Sequence, residues 1–289
     1  MSVRLDVLFT PAEFGRLREQ DLSQSVCVVF DVLRATTSMV AAFSNGASEI
    51  IPVADIETAI AIRRERPEVL LAGERQGWRI RAEQTGSVDF DFGNSPREFT
   101  AERVQGRSLV MTTTNGTRAL RACAHASLIL IGALHNLKAI ADAVRKASGA
   151  NLLIVCGGTY EEAAWEDTIA AGALVDLLGS GMGADLISDA ALMARELYRP
   201  YAGRLEVALG MSRNGRRLLS IPELRDDVAF ASRLDMVSLT PRLGEDGVIR
   251  TGASAREVRP IAIIDFQNGG AEEGAGETRA KEDTRSGLD

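Results

Sequence analysis

The chain has 289 residues, which allows one large domain or two ordinary ones at about 100–200 residues each. Hydrophobic residues make up 45% and charged residues 25%, a balance that can bury a core and excludes wholesale disorder. The formal net charge of −7 argues against a nucleic-acid partner, which needs a basic surface.

In chain order the sequence predicts strands at 3–8, 26–30, 49–53, 68–71, 108–111, 127–131 and 152–155, each a short and mostly apolar run. Helical stretches alternate with them at 35–44, 56–65, 96–104, 117–124, 137–148 and 162–178. The alternation predicts an α/β fold, a three-layer α/β/α sandwich on a largely parallel or mixed sheet. Asp55 stands where an N-cap accepts the first backbone N–H groups of the 56–65 helix. Ser95, Pro96 and Glu98 combine a capping serine, a proline at the first helical position and an acid three residues after the cap. Gly46, Gly106 and Gly149 fall where helices should stop.

After Gly179 helices come one after another, predicted at 184–198, 204–208, 215–219 and 223–232. A short strand pair at 236–239 and 248–250 closes the globule, and 261–264 reads as a late strand or a sticky tail segment. Residues 1–250 are therefore expected to form a single domain with a helix-rich continuation from about 180, and 251–289 a mostly disordered tail. A second stretch at 76–91, rich in Arg, Gly and polar residues, is expected to be mobile. Symmetric dimers are the commonest assembly, and the helical continuation is where a homodimer interface would lie.

No apolar run approaches the roughly 20 residues that span a bilayer, and Met1–Asp6 lacks the basic and apolar segments of a signal peptide. The expectation is a cytoplasmic protein with no membrane partner. Cys27, Cys123 and Cys156 lie in apolar segments and read as reduced core thiols. The Gly179, Gly181, Gly183 cluster comes after a helix, not a strand, and reads as a linker; no P-loop motif occurs. Neither Cys27 nor Cys156 has the arginine spacing of a cysteine phosphatase, and Leu33 stands where an aspartate-nucleophile phosphatase places its second Asp. His125 and His135 sit at strand boundaries outside any metal motif and read as surface or loop residues.

Ligands of a parallel α/β sheet bind beyond the carboxyl ends of the strands, so the residues just past each strand define a candidate site. Two residue types recur there. The first is carboxylate: Asp31, Glu74, Glu166 and Asp167, hard oxygen donors suited to Mg²⁺. The second binds anions: Arg34, Thr36, Arg75, Asn94, Ser95, Thr113, Thr114, Thr117 and Arg118, with Asn115 and Gly116 leading into a helix. Gly116 admits close backbone approach. Arg34 at a helix start works against that helix's dipole, which a bound anion would explain. Asp31 also reads as an N-cap, and Glu166 and Asp167 as first-turn acids. The set fits a small, anionic, phosphorylated substrate.

Five blocks in this order resemble the 2-phosphosulfolactate phosphatase family. They are Asp31, Val32, Leu33, Arg34, Ala35, Thr36, Thr37; Gly73, Glu74, Arg75; Gly93, Asn94, Ser95, Pro96; the 112–117 turn; and Glu166, Asp167, Ala171, Gly172. Ser212, Arg213, Asn214, Gly215, Arg216, Asp227 and Asp235 look like the family's later pattern, so the resemblance spans about 1–250. It implies a three-layer fold and a Mg²⁺-dependent phosphatase that converts 2-phosphosulfolactate into 3-sulfolactate and phosphate, in methanogens a step toward coenzyme M. The 78–89 connection looks longer than is usual in the family, which would reshape the pocket mouth. The expected metal ligands are Asp31, Glu74, Glu166 and Asp167. Catalysis is expected from Asp31, Asp167 and Glu74, with Asp31 or Asp167 orienting the water or attacking phosphorus. Two other functions fit the same residues: a phosphatase for another 2-phospho acid, and a non-catalytic binder of phosphorylated or sulfonated acids.

Overall fold

A computed structural model describes residues 4–17, 19–147, 151–179 and 184–252. The expected tail from residue 253 on, with the 261–264 segment, lies outside these, as does Gly149.

The strands are β1 (Leu5–Leu8), β2 (Ser25–Phe30), β3 (Glu49–Pro52), β4 (Leu70–Arg75), β5 (Trp78–Arg79), β6 (Ser108–Thr112), β7 (Leu128–Gly132), β8 (Asn151–Cys156), β9 (Arg242–Leu243) and β10 (Ile249–Arg250). Between the early strands lie helices α1 (Phe14–Leu17), α2 (Ala35–Ser44), α3 (Ile56–Glu65), α4 (Ala82–Thr85), α5 (Ala101–Val104), α6 (Gly116–Ala122) and α7 (Leu137–Lys146). After β8 come α8 (Trp165–Gly179), α9 (Asp189–Tyr198), α10 (Leu205–Met211), α11 (Arg213–Leu219) and α12 (Asp226–Ala231).

One mixed sheet runs in the order β1-β8-β2-β7-β9-β10-β3-β6-β4-β5. Its two halves, β1-β8-β2-β7 and β3-β6-β4, are internally parallel. The antiparallel pair β9 and β10 joins them, bonding to β7 on one side and β3 on the other. The expected closing strand at 236–239 has no regular secondary structure, and β9 starts at Arg242 instead.

Period-two alternation explains how helices cover both faces. Along β2, Val26, Val28 and Phe30 join the apolar layer of Leu137, Ile140, Ile169 and Leu174 on α7 and α8. Cys27 and Val29 point the other way, into a layer shared with Met39, Ala42 and Phe43 of α2 and with Leu109 and Met111 of β6. Helix α2 carries no charge, and every residue from Ala35 to Phe43 is buried. A helix without a polar face must be enclosed, and α2 contributes to the layer that holds both halves of the sheet together. A third, smaller layer packs Ala59 and Ile62 of α3 on Ile51, Leu71 and Val110.

Asp55 caps α3 as expected, accepting the Thr58 N–H at 2.7 Å. The 96–104 helix does not form in one piece. A 3₁₀ turn (Pro96–Glu98) and α5 replace it, because Ser95 is drawn away from the cap and Glu98 accepts the Gly93 N–H. The 184–198 helix likewise divides into a 3₁₀ turn (Ala184–Leu186) and α9, which Ser188 caps. The 76–91 stretch is packed: β4 and β5 form a hairpin, and Ile80 and Phe90 are buried beside α3. Two apolar side chains in a polar run anchor it. The three cysteines are buried and free. His135 is buried rather than superficial, its Nε2 lying 2.6 Å from the Phe230 carbonyl oxygen. Among the described residues no helix is long and apolar enough to cross a membrane.

Candidate active site

The segments just past β2, β4, β6 and β8 converge on a cavity of about 270 Å³. Asp31, Glu74, Thr113 and Thr159 line it from those four strand ends. Arg34, Arg75 and Asn94 join them, with Thr114 and Asn115. Leu33, Leu218 and Ile221 supply apolar wall.

Asp31 is the first residue past β2. The Thr36 hydroxyl and N–H bind its backbone carbonyl, and its Oδ1 accepts the Ala35 N–H at 3.2 Å. Thr36 is wholly buried and holds the Asp31 turn, so it does not reach the cavity. Burial pushes the Asp31 carboxyl up to about 7, and Glu166 and Glu74 push it the same way. A carboxylate in this setting calls for a cation. Two glycines make room for it: a Cβ on Gly116 would lie 3.0 Å from Asp31 Oδ2, and one on Gly157 would lie 3.0 Å from its Cβ. Gly116 therefore serves the carboxylate, in place of the expected close approach to phosphate.

The other carboxylates are held by backbone and amide donors. Glu74 Oε2 accepts the Gly77 N–H at 2.7 Å, and Oε1 accepts the Thr114 N–H and hydroxyl. It ties the β4–β5 hairpin to the threonine turn. Asp167 Oδ1 accepts the Val32 N–H at 2.8 Å and Oδ2 the Gly158 N–H at 3.0 Å. With both oxygens so engaged, Asp167 fixes the two loops that carry Asp31 and Gly157. Burial pushes its carboxyl well up, with Glu166 and Asp31 adding to the effect. Glu166 accepts the Asn214 amide at 2.6 Å, and burial raises its carboxyl too. Glu166 faces a neighbouring cavity of about 400 Å³, across a wall formed by Thr159 and Asn214. Among the described residues the acids do not gather into an all-protein metal cage.

The cations divide by what neutralises them. Arg34 is 5% exposed, pairs with the fully buried Asp227 at 3.3 Å, and donates to the Gly77 carbonyl at 2.9 Å. Asp227 also accepts the Ser95 hydroxyl at 2.6 Å and Arg97 Nε at 2.9 Å. Ser95 therefore supports Arg34 and does not line the cavity. Arg75 meets neutral acceptors, the Glu74 carbonyl and the Thr112 hydroxyl. Arg217 of α11, a lining residue, donates to the Gln76 carbonyl. Thr117 lies behind the turn, its hydroxyl donating to the Thr113 carbonyl at 2.9 Å. Asn94 Oδ1 and Asn115 Oδ1 are buried with no hydrogen-bond partner. Both residues border the cavity, so each side chain has capacity there for a ligand.

A sequence model of the 2-phosphosulpholactate phosphatase family matches residues 13–246. The chain belongs to this family. A probable 2-phosphosulfolactate phosphatase of Symbiobacterium thermophilum is 36% identical over 232 residues, covering 80% of this chain and 96% of that protein. Proteins with the same name are 35% identical in Caldanaerobacter subterraneus, covering 84% and 98%, and 39% identical in a Synechococcus species, covering 77% and 90%.

Within this 2-phosphosulpholactate phosphatase family member, the cavity includes residues that strand-end reasoning missed. Gln76 and Tyr160 lie at turns with positive φ, and Tyr160 is 60% exposed at the rim. Arg217 arrives from the helical continuation, where sequence carries no signal of which face meets the sheet. Asn214 was within reach of the resemblance, but its place in the Thr159–Glu166 network depends on tertiary packing.

Proposed function

We propose that this chain is a phosphatase that hydrolyses 2-phosphosulfolactate to 3-sulfolactate and phosphate, in the cytoplasm and with Mg²⁺. The observation that carries the reading is the cavity itself: an aspartate at a strand end faces a ring of Arg34, Arg75 and Arg217 in an acidic protein. The substrate carries phosphate, carboxylate and sulfonate on a small carbon frame. Arg34 is already matched by Asp227, whereas Arg75 and Arg217 are bound to neutral acceptors and keep charge for the ligand.

The donor set suits a hard cation. Mg²⁺ takes one or two carboxylates, carbonyl oxygens, waters and substrate phosphate oxygens. Asp31, whose burial opposes its charge, would hold it, with the unpartnered Asn94 and Asn115 oxygens as further donors. When bound, Mg²⁺ supplies charge stabilisation at the phosphoryl oxygens. The chain's own groups do the rest. Arg75, Arg217 and the Thr113 hydroxyl orient the anionic groups, and the apolar wall limits water. Asp31 stands at the reacting phosphorus, either aligning water or attacking it. In the net reaction water adds to phosphorus, the bond from phosphorus to the substrate oxygen breaks, and that oxygen leaves with a proton as the sulfolactate hydroxyl. Positioning and charge dominate such a transfer. Glu74 and Asp167 hold the loops in register.

The test is phosphate release by the purified protein from 2-phosphosulfolactate, 2-phospholactate and an aryl phosphate, side by side. The reading expects the highest kcat/KM for the sulfonated substrate. Equal rates on phospholactate would remove the substrate assignment. No release from any of them by folded protein with Mg²⁺ would favour a non-catalytic binder of such acids.

A further inference from the structure

A second basic cavity, of about 230 Å³, adjoins the first and shares Arg75, Thr113 and Thr114 with it. Its other wall is Thr117, Arg118 and Arg121 of α6, with Ala54. Positions three and four apart lie on one helix face, so α6 aims all three side chains the same way. Among the described residues no carboxylate lines this cavity.

That arrangement does little for the helix. Arg118 stands in the first turn, where a cation opposes the dipole, and α6 has no acidic residue there. Arg118 and Arg121 are three apart, where like charges repel. The Arg118–Glu161 pair at 2.9 Å is about half exposed on both sides, and such pairs contribute little. Three guanidiniums, with the Thr113 hydroxyl beside them, are a donor set for a tetrahedral oxyanion.

We propose that this cavity is a second oxyanion subsite that accepts a phosphate or sulfonate group beside the reaction cavity. Its occupant is either released phosphate on its way to solvent or the sulfonate end of a bound substrate. That choice of occupants rests on the phosphatase reading above; binding of the oxyanion does not. Arg75 is the hinge between the sites, since Glu74 and Thr112 hold its guanidinium on their shared wall.

The experiment titrates full-length protein with inorganic phosphate by calorimetry or ³¹P NMR, without turnover. Two equivalents should bind the natural protein and one the Arg121→Gln variant. Arg121 is exposed, so the variant should fold. Arg145→Gln, an exposed cation of α7, controls for lost net charge and should keep two equivalents. In steady state, Arg121→Gln should weaken inhibition by phosphate about tenfold, the value of one charge-assisted contact. If phosphate is the occupant, the KM for 2-phosphosulfolactate stays within about twofold. If sulfonate is, that KM rises about tenfold while the KM for 2-phospholactate does not. A single phosphate equivalent in the natural protein, or unchanged binding and inhibition in Arg121→Gln, overturns the proposal. A protein that releases no phosphate yet binds two equivalents keeps the subsite and removes the phosphatase reading.

Discussion

Asp227→Asn is the most informative single substitution. Asp227 has no exposed surface and serves Arg34, Arg97 and Ser95 at once. The amide keeps the shape and one acceptor but removes the charge. Arg34, 5% exposed, then lies buried without a carboxylate, and breaking such a pair costs about 3–5 kcal/mol. Arg97 is 36% exposed and can rehydrate, so its share is small. A loss of about 3 kcal/mol lowers Tm by about 6–12 °C in a protein of this size. Arg34 retains only the Gly77 carbonyl, so its guanidinium is no longer fixed beside Asp31. We expect KM to rise about tenfold, with a smaller change in kcat. Thermal unfolding and steady-state phosphate release read the two effects separately. The double variant Arg34→Met/Asp227→Leu should recover much of the stability and none of the substrate affinity. A Tm within about 1 °C of the natural protein together with an unchanged KM would show that Asp227 neither neutralises nor positions Arg34.

Further predictions concern the neighbours of this network. Burial raises the Asp31 carboxyl to about 7 from its ordinary 3.8, so the folded chain binds that proton more tightly than the unfolded one. The contribution of Asp31 to metal-free stability should therefore be fully present below the ordinary carboxylate range and be lost as pH rises through about 7, so Asp31→Asn should gain stability relative to the natural protein across that range; urea unfolding of both proteins in EDTA checks the sign. Gly172→Ala places a methyl on the Ala194 carbonyl where α8 crosses α9, and should destabilise by about 1–3 kcal/mol or more, read by chemical unfolding. Gly116→Ala puts a methyl 2.7 Å from the Ala35 Cβ and 3.0 Å from Asp31 Oδ2, and should depress kcat far more than it alters KM.

Periodicity and topology account for the parts of the fold that were legible in the sequence. Parallel strands covered on both faces are apolar throughout, so β2, β6, β7 and β8 were readable, and with them Asp31 and the 112–117 turn at their ends. The two-residue strands β5, β9 and β10 are too short to show any period; β10 falls within the expected 248–250, whereas its partner was expected at 236–239 and β9 lies at Arg242–Leu243. Ile80 and Phe90 show why polar composition misled for 76–91: two buried anchors outweigh nine exposed neighbours. At the site, the alternative reading of Asp31 as an N-cap matches its bond from the Ala35 N–H, and Glu166 and Asp167 do stand in the first turn of α8, but nothing in the sequence marks Asp167 as accepting the Val32 and Gly158 N–H groups outside that helix. Arg217 remained hidden because an arginine in a run of arginines on an amphipathic helix has no mark of its own.

In the proposed function Asp31 sits at a Mg²⁺-assisted phosphoryl-transfer site. Phosphate release from 2-phosphosulfolactate, measured in Mg²⁺ and in EDTA for the natural protein and for Asp31→Asn, tests it most directly. Turnover should require Mg²⁺ and fall by at least about a hundredfold in Asp31→Asn, while the variant stays folded. Undiminished release in EDTA, or a fully active Asp31→Asn, would contradict it.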